Sequence, residues 1–240
     1  MTDEVVRVTS HPYKLVIPRN GEFSLKTVIV IFGRAGHGKD TFANYLVKYL
    51  PKESVTTMSF ADPIKDTTCL LLGIPKEVAY GTKAVKESYK VYGKTCRHWF
   101  QWFGTEIAKK LISDNIWIDR VEDRIRQSKT RYVMVTDGRF ENERTFLKDK
   151  DENIKVINIL IHRPDTSINL PNYGYFKYLW KFLALFSNNI KLLHASEYEV
   201  LKMQRLARRG EQIFDIIVKN DTTLEELQQK AFSTAQLIMK

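Results

Sequence analysis

The sequence predicts an α/β fold, a three-layer arrangement with a five-stranded parallel sheet flanked by helices. Two observations predict it. Short β-branched runs alternate along the chain with segments of helical period, and a glycine-rich turn joins the first such run directly to a helix. The 240 residues are 43% hydrophobic and 28% charged, which excludes disorder, collagen and coiled coil as overall descriptions and bounds the chain at one or two domains.

Each element has its own signal. Residues 1–24 are polar, carry Pro12, Pro18 and Gly21, and read as an N-terminal extension with a candidate strand at Tyr13–Ile17. Thr27–Phe32 is a continuous apolar run, the pattern of a strand buried on both faces. A glycine-rich turn and a helix from Asp40 to about Leu50 follow. Val55–Phe60 reads as the second strand. Asp62 and Pro63 then read as N-cap and first residue of a helix to about Leu72. Residues 75–95 are lysine-rich and irregular. Thr95 can cap a helix to about Ile112, in which Trp99, Phe103, Ile107 and Leu111 form a stripe expected to be buried. A helix at Ile116–Gln127 leads to strands Tyr132–Thr136 and Val156–Ile161. Ser196 and Glu199 form a capping box for a helix ending at Gly210. Phe214–Val218 is the last strand, and Thr222 with Glu225 caps the last helix.

Charge and cysteine usage narrow the function classes. The net charge is +10, from 38 basic and 28 acidic residues, which favours an anionic ligand: nucleotide, nucleic acid or lipid head group. Two cysteines, Cys69 and Cys96, cannot make a disulfide scaffold and read as reduced thiols of a cytosol-like compartment. No run approaches the ~18 apolar residues of a membrane span, so none is expected. Met-Thr-Asp-Glu lacks the basic and apolar regions of a signal peptide. His98, His162 and His194 have no Cys, His or Asp spacing that argues for a metal.

The sharpest signal is Gly33-Arg34-Ala35-Gly36-His37-Gly38-Lys39-Asp40-Thr41. It fits G-x-x-x-x-G-K, whose glycines let backbone amides wrap a phosphate while the lysine reaches the β- and γ-phosphates. It follows a buried strand and opens a helix, as that motif demands. Gly33, Ala35, Gly36, His37, Gly38, Lys39, Asp40 and Thr41 are therefore the candidate phosphate-binding set, with His37 a variable position of the loop. Where such loops place Ser or Thr on Mg²⁺, this one has Asp40, then Thr41. Either can supply an oxygen ligand.

At this point the chain resembles the deoxynucleoside monophosphate kinases of tailed bacteriophages, within the P-loop nucleoside monophosphate kinase superfamily. Gly38-Lys39-Asp40 closing the loop carries the resemblance. So do, in order, Ser59-Phe60-Ala61-Asp62-Pro63, then Arg97, Gln101 and Gly104-Thr105-Glu106, then Asp137, Arg139 and Asn142-Glu143. Val218, Asn220-Asp221 and Leu224-Glu225-Glu226-Leu227 close the series, with His194, Ser196 and Glu197 a weaker match. The resemblance covers about residues 27–164 and 194–230. It implies one kinase domain over residues 25–240, with an acceptor-binding flap at about 73–96 and a lid with an aromatic insertion at about 164–210. It implies ATP and Mg²⁺ as donor and metal, a nucleoside monophosphate as partner, and no stable nucleic-acid partner. The expected location is cytoplasmic, in the host cytoplasm for a phage-encoded chain.

Residue types fit those roles. Arg97 and Gln101 share one helix face. A guanidinium fork suits a phosphate and an amide suits a base edge. The resemblance gives them the acceptor phosphate and base, and a solvated face is the bland alternative. It gives Asp137 the Mg²⁺ shell or acceptor orientation, Arg139 an acceptor-phosphate clamp, and Asp62, Lys65 and Glu143 the acceptor side. Lys202, Arg205, Arg208 and Arg209 cluster on the helix after Ser196. Arg205 or Arg208 is the expected lid arginine that neutralises transferring charge. Asn220 and Asp221 stand where the family contacts adenine.

Tyr175–Phe186 can form a helix about 18 Å long, polar only at Lys177 and Lys181. A helix so apolar must be covered. A homodimer through residues 173–186, packing on its own domain, and a membrane surface all remain open. A P-loop kinase of another phosphorylated small molecule and an ATP-binding nucleic-acid-binding protein are the competing functions.

Overall fold

The computed structural model describes residues 25–147, 151–164 and 195–240. In chain order its elements are β1 (Lys26–Phe32), α1 (Lys39–Tyr49), β2 (Val55–Met58), α2 (Ala61–Leu72), α3 (Lys76–Ala79) and α4 (Lys83–Ser88). The short strands β3 (Lys90–Val91) and β4 (Lys94–Thr95) lead to α5 (Cys96–Gln101), which continues as wider π turns over Trp102–Lys109. Then come α6 (Ile116–Gln127), β5 (Tyr132–Gly138), α7 (Glu141–Thr145), β6 (Ile154–His162), α8 (Ala195–Arg208), β7 (Ile216–Lys219) and α9 (Leu224–Met239).

Five strands form one parallel sheet in the order β2-β5-β1-β6-β7. The continuous apolar run of β1 has a direct cause. Ile29 and Ile31 enter a core with α1 and α9, while Val28, Val30 and Phe32 enter a second core with α6 and α8. A strand covered on both faces has no polar side to show. The expected three layers and five parallel strands are therefore present. The helices follow parallel strands, so the loops that leave β1, β2, β5, β6 and β7 gather at one edge, where ligands of such folds bind.

Several local expectations are corrected. β2 ends at Met58 and the last strand begins at Ile216. Asp62 is not an N-cap. α2 already begins at Ala61, and the Asp62 carboxylate accepts from Ser59 N and Ser59 Oγ, both at 2.7 Å. Residues 75–95 are not irregular, being α3, α4 and the antiparallel β3–β4 pair. The last helix is capped by Thr223, whose hydroxyl accepts from Glu226 N, not by Thr222. On α5 the buried line is Cys96, Gly104 and Ala108, with Phe100 half-buried, one residue along from the expected stripe. Leu111 is 73% exposed. Thr95 does cap α5, and Gly210 ends α8 with φ +89° as expected. α8 starts at Ala195, ahead of the expected cap Ser196, whose side chain lies outside the described residues. The candidate strand at Tyr13–Ile17 and the aromatic segment 173–186 also lie outside them. No helix among the described residues is long and apolar enough to cross a membrane.

Candidate active site

The glycine-rich loop leaves the buried carboxyl end of β1 and enters α1 at Gly38, which is left-handed at φ 86° and ψ 18°. A side chain at Gly38 would collide with the Asn220 amide. No side chain caps α1. Its first-turn amides have no intrahelical acceptor, and with the helix dipole they make an anion-binding end. Lys39, the first helical residue, is buried at 7% exposure. Asp40 is exposed and Thr41 half-buried beside it.

Two neighbouring strands hold the loop. Asn220 Nδ2 donates to the His37 carbonyl at 2.9 Å, and Arg163 N donates to His37 Nδ1 at 3.3 Å. His37 is 4% exposed. It is thus a buried anchor of the loop, where the sequence showed only a variable position. Asn220 N in turn donates to the His162 carbonyl at 2.8 Å. Arg208 Nη2 lies 2.8 Å from His162 Nε2, which brings one of the two lid-arginine candidates to the end of β6. Arg205 is exposed on the same helix. Asp221 is drawn away by Lys219 and Lys230, which hold its carboxyl below the usual range, Lys219 foremost. The Arg208–His162 contact carried no local sequence signal, because 46 residues separate the partners.

Three carboxylates line the other side. Asp137, at the end of β5, accepts from Phe60 N at 2.7 Å and Ala61 N at 3.1 Å, so it holds the start of α2. Burial raises its pKa, against the opposing effect of those two amides. Glu143 on α7 is 5% exposed, and its Oε2 accepts from Arg139 N at 2.7 Å and Phe140 N at 3.0 Å. Burial first, then the Asp137 charge, pushes its pKa up to about 7. Glu143 fixes the backbone of the turn that carries Arg139. Asp62 also pairs with Lys65 at 3.5 Å.

Lys65 Nζ sits 4.6 Å from the centroid of the Tyr80 ring. The Tyr80 hydroxyl donates to Asp66 at 2.8 Å, and Asp66 accepts from Arg124 at 2.7 Å. Burial, then the hydrogen bond to Asp66, drives the Tyr80 hydroxyl pKa upward. This chain of contacts holds the lysine between α2 and the end of α3. Arg97 and Gln101 are exposed on α5, and among the described residues no side chain competes for either head group. The described residues thus present two basic features: a glycine-rich loop with a buried lysine at the start of α1, and Lys65 and Arg97 on the adjoining helices α2 and α5.

No protein-family model matches the chain. A protein of Acanthamoeba polyphaga mimivirus named "putative deoxynucleotide monophosphate kinase" is 30% identical over 135 residues, 51% of this chain and 68% of that one. The chain belongs to the deoxynucleotide monophosphate kinase family. It is a nucleotide kinase of the P-loop type. Among solved structures, dephospho-CoA kinase from Campylobacter jejuni superposes with a TM-score of 0.41 at 15% identity, covering 89% of this chain and 98% of that one. Shikimate kinase from Acinetobacter baumannii gives 0.44 at 14% identity, with 90% and 94% covered. The fold of this family member rests on its own sheet order and loop.

Proposed function

We propose that the chain transfers the γ-phosphoryl group of ATP in line to the phosphate of a deoxynucleoside monophosphate. An acceptor phosphate oxygen bonds to the γ-phosphorus as the bond to the β–γ bridging oxygen breaks, leaving ADP and a nucleoside diphosphate. One observation carries this reading: the anion-binding loop with its buried Lys39 is accompanied, in a member of this family, by a second cationic surface at Lys65 and Arg97. A kinase whose acceptor is itself a phosphate needs two anion sites, whereas an ATPase needs one.

The roles follow from charge and position. The α1 amides and Lys39 take the β- and γ-phosphates of ATP. Lys65, Arg97 and Arg139 take the acceptor phosphate, with Gln101 toward the base. Arg208, held near the loop by His162, supplies charge to the transferring group in preference to Arg205. Asn220 serves the nucleotide through the loop that it braces. Asp62, Asp137 and Glu143 position the backbone around these groups. Mg²⁺ would neutralise phosphate charge here. The hard oxygen donors Asp40 and Thr41 fit it on the first turn of α1, and Asp137, on the neighbouring strand β5, would orient its water shell. No covalent intermediate is needed, because positioning and charge neutralisation suffice. Residues 73–96 serve as the acceptor flap of the single domain.

The test is coupled ADP release with ATP, Mg²⁺ and a panel of monophosphates: dAMP, dGMP, dCMP, dTMP, hydroxymethylated dCMP and the ribose forms. Acceptor-dependent ADP release, stronger with deoxyribose members, is expected. Release with none of them overturns the monophosphate acceptor.

A further inference from the structure

We propose that Lys86, on the flap helix α4, is the third member of an anion pocket with Lys65 and Arg97, and that it binds the acceptor's phosphate directly. The inference rests on the monophosphate reading above and adds a residue that the sequence did not single out.

The packing brings the three cations together. α4 packs on α5 and β4, and α3 links α4 to α2. Lys65 projects from α2, Arg97 from the first turn of α5 and Lys86 from α4. Lys86 is half-buried. After desolvation, the causes that depress its pKa are the charges of Lys65 and Arg97, with no acid among them. The nearby acids have other partners. Asp62 faces Lys65 at 3.5 Å, Asp66 takes Tyr80 and Arg124, and Glu87 pairs with Lys83 at 3.8 Å. Of these acids, only Asp62 pairs with one of the three cations.

Such an arrangement is unfavourable by itself. Like charges repel, and an ammonium loses solvation on partial burial. A dianionic phosphate removes both costs, since it can accept from two ammonium groups and a guanidinium fork at once. The placement on α4 has a consequence. Lys65 and Arg97 stand on helices that pack on one another and share the small core of Cys69, Ile74, Ala79 and Cys96, to which α4 contributes no residue. Phosphate in the pocket thus links the flap to the core through Lys86.

Lys86→Met tests this, because it keeps the aliphatic stem and removes the charge. In the full chain the KM of the best acceptor of the panel should rise about tenfold or more, the size of a lost charged hydrogen bond. The KM for ATP should stay within about twofold, and Lys86→Arg should restore most of the acceptor affinity. The thermal midpoint of Lys86→Met should match or exceed that of the parent, since repulsion is relieved. Independently, inorganic phosphate should protect Lys86 of the parent protein from amine acylation read by peptide mass spectrometry. A folded Lys86→Met protein with unchanged acceptor KM overturns the proposal, as does acylation indifferent to phosphate. If phosphate protects Lys86 while no monophosphate is phosphorylated, the pocket stands and the proposed reaction falls. If monophosphates are phosphorylated and Lys86→Met changes nothing, the reverse holds.

Discussion

Asn220 donates its side-chain amide to the main-chain carbonyl of His37 at 2.9 Å, so the residue after β7 holds the phosphate loop in shape. The donor and the glycine beside it are mutually dependent, because a side chain at Gly38 would occupy the place of the Asn220 amide. Asn220→Ala removes the bond and strands a partly buried carbonyl, which costs about 1–3 kcal/mol. We expect a KM for ATP raised about tenfold with the acceptor KM little changed. Equal rises for both substrates, or none, would show that the bond does not shape the ATP site.

Lys39 is a buried cation at the start of an uncapped helix. Lys39→Ala should leave the fold intact and lower kcat by about 10²–10³, the range for losing one preorganised charge partner of a transition state. Circular dichroism checks the fold and ADP release the rate. Turnover near the parent's in a folded Lys39→Ala protein would remove the loop from the chemistry.

Arg139 follows β5 on a turn whose amides Glu143 holds. Arg139→Ala should raise the acceptor KM by at least about tenfold and the ATP KM far less. Unchanged acceptor KM and kcat would exclude Arg139 from the acceptor site.

The sheet and the loop were legible in the sequence because each is specified locally. β1 is apolar at every core position, and the glycines, lysine and following helix of the loop are contiguous. What was missed is relational. The buried line of α5 is displaced because small Gly104 and Ala108 let α2 approach, whereas Trp99 stays at the margin and donates its indole N–H to the Val91 carbonyl at 2.8 Å. The π turns at Trp102–Lys109 also break the regular period on which the expected stripe relied. His37 and His162 gain their roles from Arg163, Asn220 and Arg208, which no spacing within one segment encodes. Lys86 looked like any lysine in a basic stretch until α4 was seen to pack on α5, the helix that carries Arg97.

Glu143 makes stability depend on pH. Its pKa rises from 4.5 in the free side chain to about 7 in the fold. Between those values the folded state holds a proton that the unfolded state has lost, so stability falls as pH rises through that window. The contribution is fully present below about 4.5 and gone above about 7, roughly 3 kcal/mol in all. Glu143→Gln cannot titrate and keeps an oxygen for the Arg139 and Phe140 amides. Urea unfolding should therefore show the stability of Glu143→Gln minus that of the parent increasing from pH 4.5 to pH 8. A difference that stays flat would mean Glu143 titrates near its ordinary value.

Gly104, in the family motif on α5, has a packing reason to be glycine. A Cβ there would lie 3.1 Å from Ile64 Cγ2 and 3.2 Å from Ile64 Cδ1 on α2. α5 is not free to withdraw, because the buried Trp117 indole donates to the Gly104 carbonyl at 2.8 Å from the opposite element. Alanine gains up to ~1 kcal/mol of helix propensity but overpacks the contact by about 1–3 kcal/mol. We expect Gly104→Ala to be destabilised by about 1 kcal/mol net. Ile64→Ala removes every contacting atom of the opposing side chain and alone should cost about 2–5 kcal/mol. Together the two changes should cost less than their sum by about 1 kcal/mol, a coupling that equilibrium unfolding of the four proteins measures. Additive costs would mean that the helices part without strain. In that case the glycine would answer to the acceptor site, and the acceptor KM of Gly104→Ala would move instead of its stability.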